Sequence, residues 1–367
     1  MYSSQPQFQN IVQSQRVVND GLMDSVSEIR WNKDVFVTSS WDGNIRFYQV
    51  QLQAGYRANI QVDYKATIDC QEPVLSVSWK QDMSMVFAAL ADNTIRAYDV
   101  KTQNNAIIGI HDDCPARQVF WNEDMKLIIS LGLDKKLKFW NLQQSGGTKP
   151  QPAFQIDLQH IPTVGEQSGN EQFFAYADVD NKFRWLHWSA LRGNQSSASS
   201  RSFFNMEDNY LTGQISCVAI NENATQLAYA TVDGRAVVKS ISSRGDLSSR
   251  LQFKCYKVDE ENRVSQYRTE KVSKMYMCNA FQFNCRSSNW VGTCGSDGTL
   301  AFWDISKKNK IMGVKLDGPA IAGQVSQDGQ IFAYATGYDW AQGLDKVGEF
   351  TNRIGAAYIE EKLIPSY

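Results

Sequence analysis

Histidine is scarce in this chain. There are three in 367 residues, and none falls in HExxH or beside a second His at ligand spacing. Neither GxSxG nor GxxxxGK[ST] occurs, so the common signatures of zinc hydrolases, serine hydrolases and P-loop enzymes are missing. The seven cysteines are odd in number and contain no CxxC pair. A disulfide framework or zinc ribbon is therefore not expected, and free buried thiols in a reducing compartment fit better. Proline is low at 8 residues, which argues against a Pro-rich disordered chain. No apolar run reaches roughly 18 residues, and the polar stretch from Met1 to Gln15 has no apolar core of a signal sequence. The formal net charge of -2 excludes a globally basic nucleic-acid binder and leaves only local basic patches. These absences predict a soluble, intracellular, non-enzymatic protein with no metal and no cofactor.

What is present is a repeat. A short strand ends at an Asp, a turn residue follows, and a second strand leads to an aromatic six positions later. The copies run from Asp42–Gly43 to Tyr48, Asp92–Asn93 to Tyr98, Asp134–Lys135 to Trp140 and Asp297–Gly298 to Trp303. Weaker copies run from Asp180–Asn181 to Leu186 and from Asp233–Gly234 to Lys239. Successive Asp residues are 50, 42, 46, 53 and 64 positions apart, the spacing of propeller blades with insertions. After each Asp, positions such as Ile45 and Phe47 or Leu300 and Phe302 alternate with polar residues, the period of a strand with one buried face. Gly and Asn suit the tight turn because they tolerate positive φ. Upstream anchors at Trp31, Trp79, Trp121, Ile220 and Phe283 close a further strand in most units.

A seventh unit follows, with strands expected at Ala320 to Val325, Ile331 to Thr336 and Arg353 to Ile359. The first unit begins only near Ser25, so Ile11 to Val18 is spare. It is expected to supply the outer strand of the last blade and close the ring. The reading is an all-β, seven-bladed WD40 β-propeller spanning 11–360, flanked by tails at 1–10 and 361–367. Insertions are expected at Gln143 to Gln151, Arg192 to Asp208 and Ser242 to Lys274, and such loops are where binding chemistry usually sits. The repeated Asp residues are expected to accept hydrogen bonds within their turns, and His111 to belong to a structural hydrogen-bond network.

Three strings carry more than the repeat. Gly234-Arg235-Ala236-Val237, Phe253-Lys254-Cys255-Tyr256-Lys257 and Tyr338-Asp339-Trp340-Ala341-Gln342-Gly343 resemble segments of the mRNA export factor propellers of the nuclear pore. The first two are also similar to the Bub-type spindle-checkpoint propellers, and the third favours the export factors. Tyr256 and Lys257 depart from that family, which carries His-Arg there. The resemblance implies a nuclear or nuclear-pore protein, also found in the cytoplasm. Its partner would be an FG-repeat nucleoporin carrying an acidic GLEBS-type segment, laid across one face of the propeller. The alternative it implies is a checkpoint scaffold binding such a segment. Arg235, Lys254 and Lys257 are the expected charge contacts, with Trp41 and Trp340 as aromatic contacts. Single-stranded RNA or mRNA is a further expected partner. Residues 242–274 hold eight Lys/Arg against five Asp/Glu, an excess of 8 − 5 = +3, with Arg250, Arg263 and Arg268 as candidate phosphate contacts.

Overall fold

The computed structural model describes residues 15–18, 20–53, 59–142, 149–191, 203–242, 245–265 and 268–359. Seven four-stranded antiparallel sheets form seven blades. From inner to outer strand, blade 1 is Val26–Asn32, Val35–Ser40, Asn44–Gln53 and Asn59–Asp69. Blade 2 is Val74–Trp79, Met85–Leu90, Thr94–Asp99 and Asn105–Ile110, and blade 3 is Ala116–Asn122, Leu127–Gly132, Lys136–Asn141 and Phe154–Asp157. Blade 4 is Pro162–Gln167, Phe173–Asp178, Lys182–His187 and Asn205–Asp208, and blade 5 is Ile215–Ile220, Gln226–Thr231, Arg235–Ile241 and Leu247–Lys254. Blade 6 is Cys278–Phe283, Trp290–Gly295, Thr299–Asp304 and Asn309–Lys315. Blade 7 is Ala320–Val325, Ile331–Thr336 and Arg353–Tyr358, with Gln15–Val18 outermost.

Each inner strand packs against the inner strands of the blades before and after it, and blade 7 meets blade 1, so the ring is closed. The seam is held as the sequence predicts. Gln15 pairs with Ala357 and Val18 with Ile354, which covers what would otherwise be an exposed sheet edge. The rest of the expected closing strand, residues 11–14, lies outside the described residues, as do both expected tails from residue 1 to 10 and 361 to 367.

The second strand of each blade is covered on both faces by neighbouring blades. Phe173–Asp178, Gln226–Thr231, Trp290–Gly295 and Ile331–Thr336 are buried throughout. Large aromatics there alternate with Ala, Gly and Thr, because two sheets about 10 Å apart need small residues opposite large ones. The inner strands share another device. Each has a β-bulge at its second residue, at positions 27, 75, 117, 163, 216, 279 and 321. Ser27 and Ser216 use this position to donate to the first carbonyl of the next blade, at 2.6 Å each to Val74 and Cys278. Asn279 does the same to Ala320 at 2.8 Å.

The turn aspartates act as turn acceptors. Asp42 takes the amide of Asn44 at 3.1 Å and Arg46 Nη2 at 2.8 Å, and Asp92 takes the amide of Thr94 at 3.0 Å and Arg96 Nη2 at 2.5 Å. Blade 4 corrects the sequence reading. There Asp178, two residues earlier, accepts from the amides of Asp180 and Lys182 and from Arg184 Nε at 2.9 Å. Asp180 instead faces His160 at 2.9 Å. The carboxylate that counts is the fully buried one on the strand, and the repeat spacing alone cannot separate the two.

The longest expected insertion is largely ordered strand. Leu247–Lys254 completes blade 5, and Lys257–Ser265 with Arg268–Met275 forms a separate two-stranded hairpin before blade 6. The sequences of its two strands are mostly polar.

Candidate functional site

Topology places the candidate residues on one side of the molecule. Inner strands start, second strands end and third strands start on the face that carries the Asp turns. The links from each outer strand to the next blade lie there too. Trp41 sits in the turn of blade 1, and Trp340 in the 337–352 loop of blade 7. Arg235 opens the third strand of blade 5, Lys254 closes its outer strand, and Lys257 opens the hairpin. All five belong to this turn face, in an arc from blade 5 to blade 1.

Arg235 and Lys254 are directly opposed across the two outermost strands of blade 5. Two like charges in that position disfavour each other unless an anion intervenes. Asp233 partly supplies one, with its carboxylate 3.2 Å from Arg235 Nε. The Arg235 side chain keeps 36% of its surface, and its two Nη groups make no hydrogen bond among the described residues. Lys254 is exposed and has no ion pair among them, while Lys257 is half-buried. Arg250, Arg263 and Arg268 lie on described strands, but their side chains fall outside the described residues.

The junction that holds these charges is tightly packed. Gly234 has φ +69°, and a Cβ there would meet the carbonyl oxygens of Tyr276 and Tyr256 at 2.5 and 2.6 Å. Its own carbonyl accepts from the amides of Cys255 at 2.7 Å and Tyr256 at 3.2 Å. Tyr256 is buried and donates to Thr293 Oγ1 at 2.7 Å, and Trp303 Nε1 donates to the same oxygen at 3.0 Å. Blade 3 builds the same network from other residues. His111 Nε2 lies 2.7 Å from Ser130 Oγ, Trp140 Nε1 donates to that oxygen at 2.8 Å, and His111 Nδ1 stands 2.9 Å from Asp134. Tyr256 thus serves in blade 6 as His111 serves in blade 3, which accounts for the Tyr where the resembling family has His. Burial pushes its phenol well above the ordinary value, so it stays a neutral donor.

The two tryptophans face solvent. Trp41 is 50% and Trp340 59% exposed, so neither fills the core. Their loops are tied together, since the Trp41 amide donates to Ser25 O at 3.0 Å and Ser25 Oγ to Tyr338 O at 3.3 Å. Trp340 has φ +61° and packs 5.5 Å from the Tyr338 ring, which stacks on Phe350. Asp339 anchors this loop to blade 6 by accepting from Ser296 Oγ and from Asn279 Nδ2 at 3.3 Å. Leu344 is exposed in the same loop as Trp340, and Met23, Ile161, Val179, Tyr210 and Val232 are exposed in other loops of this face. The described loops of the opposite face carry none of the exposed large apolar side chains. Such one-sided exposure makes this face the candidate interaction surface.

No family model matches the chain. It is similar to the Poly(A)+ RNA export protein of Schizosaccharomyces pombe, 27% identical over 335 residues, covering 87% of this chain and 83% of that one. The mRNA export factor GLE2 of Chaetomium thermophilum is 24% identical, with the same coverage of 87% and 83%. The mRNA export factor of Xenopus tropicalis is 28% identical over 84% of this chain and 77% of its own length. The similarity to mRNA export factors thus extends over most of the chain. The match runs through most of the seven-bladed ring, as expected from the strings at 234–237, 253–257 and 338–343. Among the described residues no three His, Cys, Asp or Glu are grouped to hold a metal ion.

Sequence reasoning singled out charged and aromatic residues that the structure places on the turn face, and it did not single out Arg117, in the inner strand of blade 3. Nothing in its local pattern distinguishes it from a solvated arginine.

Proposed function

We propose that this propeller is a non-enzymatic adaptor of mRNA export at the nuclear pore. Its turn face captures an acidic GLEBS-type segment of an FG-repeat nucleoporin. The observation that supports this most is the direct opposition of Arg235 and Lys254 on a face that also exposes Trp41 and Trp340. Two adjacent cations with free donors are completed by carboxylates, and a guanidinium can take one bidentately. Exposed Trp side chains supply apolar area of the kind that dominates hot spots. The relatives are named as mRNA export factors, which supports placing the activity in nucleocytoplasmic transport.

The test is calorimetric titration of the chain with a GLEBS-type nucleoporin segment. Micromolar or tighter binding that weakens with salt, and about a hundredfold in Arg235→Glu, is the expected result. Unchanged binding by Arg235→Glu would remove the site from this face. In cells, staining at the nuclear rim is expected, whereas kinetochore staining would favour the checkpoint reading. RNA contact through Arg250, Arg263 and Arg268 would rest on side chains outside the described residues.

A further inference from the structure

Among the described residues, Arg30 of an inner strand and Arg46, Arg96, Arg184 and Lys239 of third strands are compensated, whereas Arg117 is not. Arg30, in the inner strand of blade 1, holds Glu28 at 2.6 Å and Glu166 at 3.1 Å. Arg46 is paired with Asp42, Arg96 with Asp92, Arg184 with Asp178 and Lys239 with Glu207. Arg117 has no hydrogen bond and no ion pair among the described residues. It occupies the bulge of blade 3, the second residue of the inner strand, next to the turn face. Ser27, Ser216 and Asn279 satisfy themselves at the corresponding bulges by binding the next blade, but Arg117 does not. Its side chain lines a cavity of about 100 Å³ in the central channel, together with Ser27, Glu28, Ser216 and Asn279.

The nearest anion is already in use. Glu28 accepts from Arg30, from Ser76 Oγ at 2.6 Å and from the Val77 amide at 3.0 Å. Burial draws the Arg117 guanidinium below its ordinary value, and the charge of Glu28 only partly opposes this. Arg117 is half-buried, and a cation drawn partly out of water with no partner costs free energy that a ligand anion would recover. Glu28 and Glu166 in the same cavity would repel a dianion such as phosphate. One monovalent carboxylate fits both the charge and the space.

We infer that Arg117 is an anion-binding anchor at the mouth of the central channel, which takes one carboxylate side chain of the acidic segment crossing the turn face. This rests on the proposed capture of that segment and adds a contact at the centre of the face to those on its rim.

The test has two arms. The first needs no partner: the full chain is melted in sodium acetate and in sodium chloride at equal ionic strength. Acetate should raise the melting temperature of the native chain more than that of Arg117→Gln, and Arg117→Gln should melt no lower than the native chain in chloride. Equal acetate shifts, or a drop of several degrees on substitution in chloride, would make Arg117 structural and overturn the inference. The second arm titrates the GLEBS-type segment. Arg117→Gln should bind roughly tenfold more weakly. A scan of the segment's acidic residues to their amides should find one whose loss weakens binding in the native chain but not in Arg117→Gln. Native affinity in Arg117→Gln overturns the inference and leaves the rim site standing. If the native chain does not bind the segment, the proposed function falls, and the acetate arm alone decides whether Arg117 binds carboxylate.

Discussion

Blades 3 and 6 build one bracing network in two ways. In blade 3, His111 follows directly on the outer strand of blade 2 and lies close before the inner strand at Ala116. In blade 6, Tyr256 plays that part, but the whole hairpin from Lys257 to Met275 stands between it and the inner strand at Cys278. The first brace only holds a turn. The second also fixes the end of Lys254, the start of Lys257 and, through the Gly234 carbonyl, the turn that carries Arg235. A structural hydrogen-bond network has thus become the mount for a charged site. Its rigidity matters, because a charge contact loses affinity when its donor must be ordered at the moment of binding.

Substitutions at the two braces should separate these roles. Tyr256→Ala removes a buried ring and a shared hydrogen bond, and should cost about 3–5 kcal/mol in urea unfolding together with binding of the acidic segment. His111→Ala should cost about 1–3 kcal/mol and leave that binding intact. Loss of binding in His111→Ala would erase the distinction between the blades.

Next in size is the charge itself. Arg235→Glu should weaken the segment about a hundredfold, or about 2.7 kcal/mol, with the melting temperature within about 2 °C of the native value. Arg235→Lys should lose about tenfold, because the bidentate fork is gone while the charge remains.

The turn residues come third. Gly234→Ala should destabilise by about 2 kcal/mol, since positive φ and two close carbonyls both oppose a Cβ. The corresponding residue of blade 3, Lys135, already takes φ +61° with a side chain. Lys135→Gly should therefore change stability by less than about 1 kcal/mol, as relief of the left-handed cost is offset by chain entropy. A comparable loss at both positions, read by thermal melts, would mean that the blade 5 turn is no more constrained than that of blade 3.

The smallest effects belong to the exposed tryptophans. Trp41→Ala and Trp340→Ala should leave stability nearly unchanged and weaken the segment by about three- to tenfold each. Melting temperatures that fall by more than about 4 °C would show that these side chains hold the loops rather than a partner.

The sequence by itself determined the scaffold. Alternating apolar residues, Asp-centred turns and a spare strand before the first unit are local signals. They predicted seven blades and a closing strand within Ile11 to Val18, of which Gln15–Val18 pairs with the strand Arg353–Tyr358. The strings around Arg235, Lys254 and Trp340 were legible for the same reason, as each is contiguous in the chain. Only the tertiary structure decided which residues meet. It set Asp178 rather than Asp180 in the turn of blade 4, opposed Arg235 to Lys254, gave Tyr256 the bracing place that His111 holds in blade 3, and left Arg117 without an ion pair among the described residues. Pairing and charge compensation depend on strand register and on which blades become neighbours. Those arise only when distant segments close into the ring.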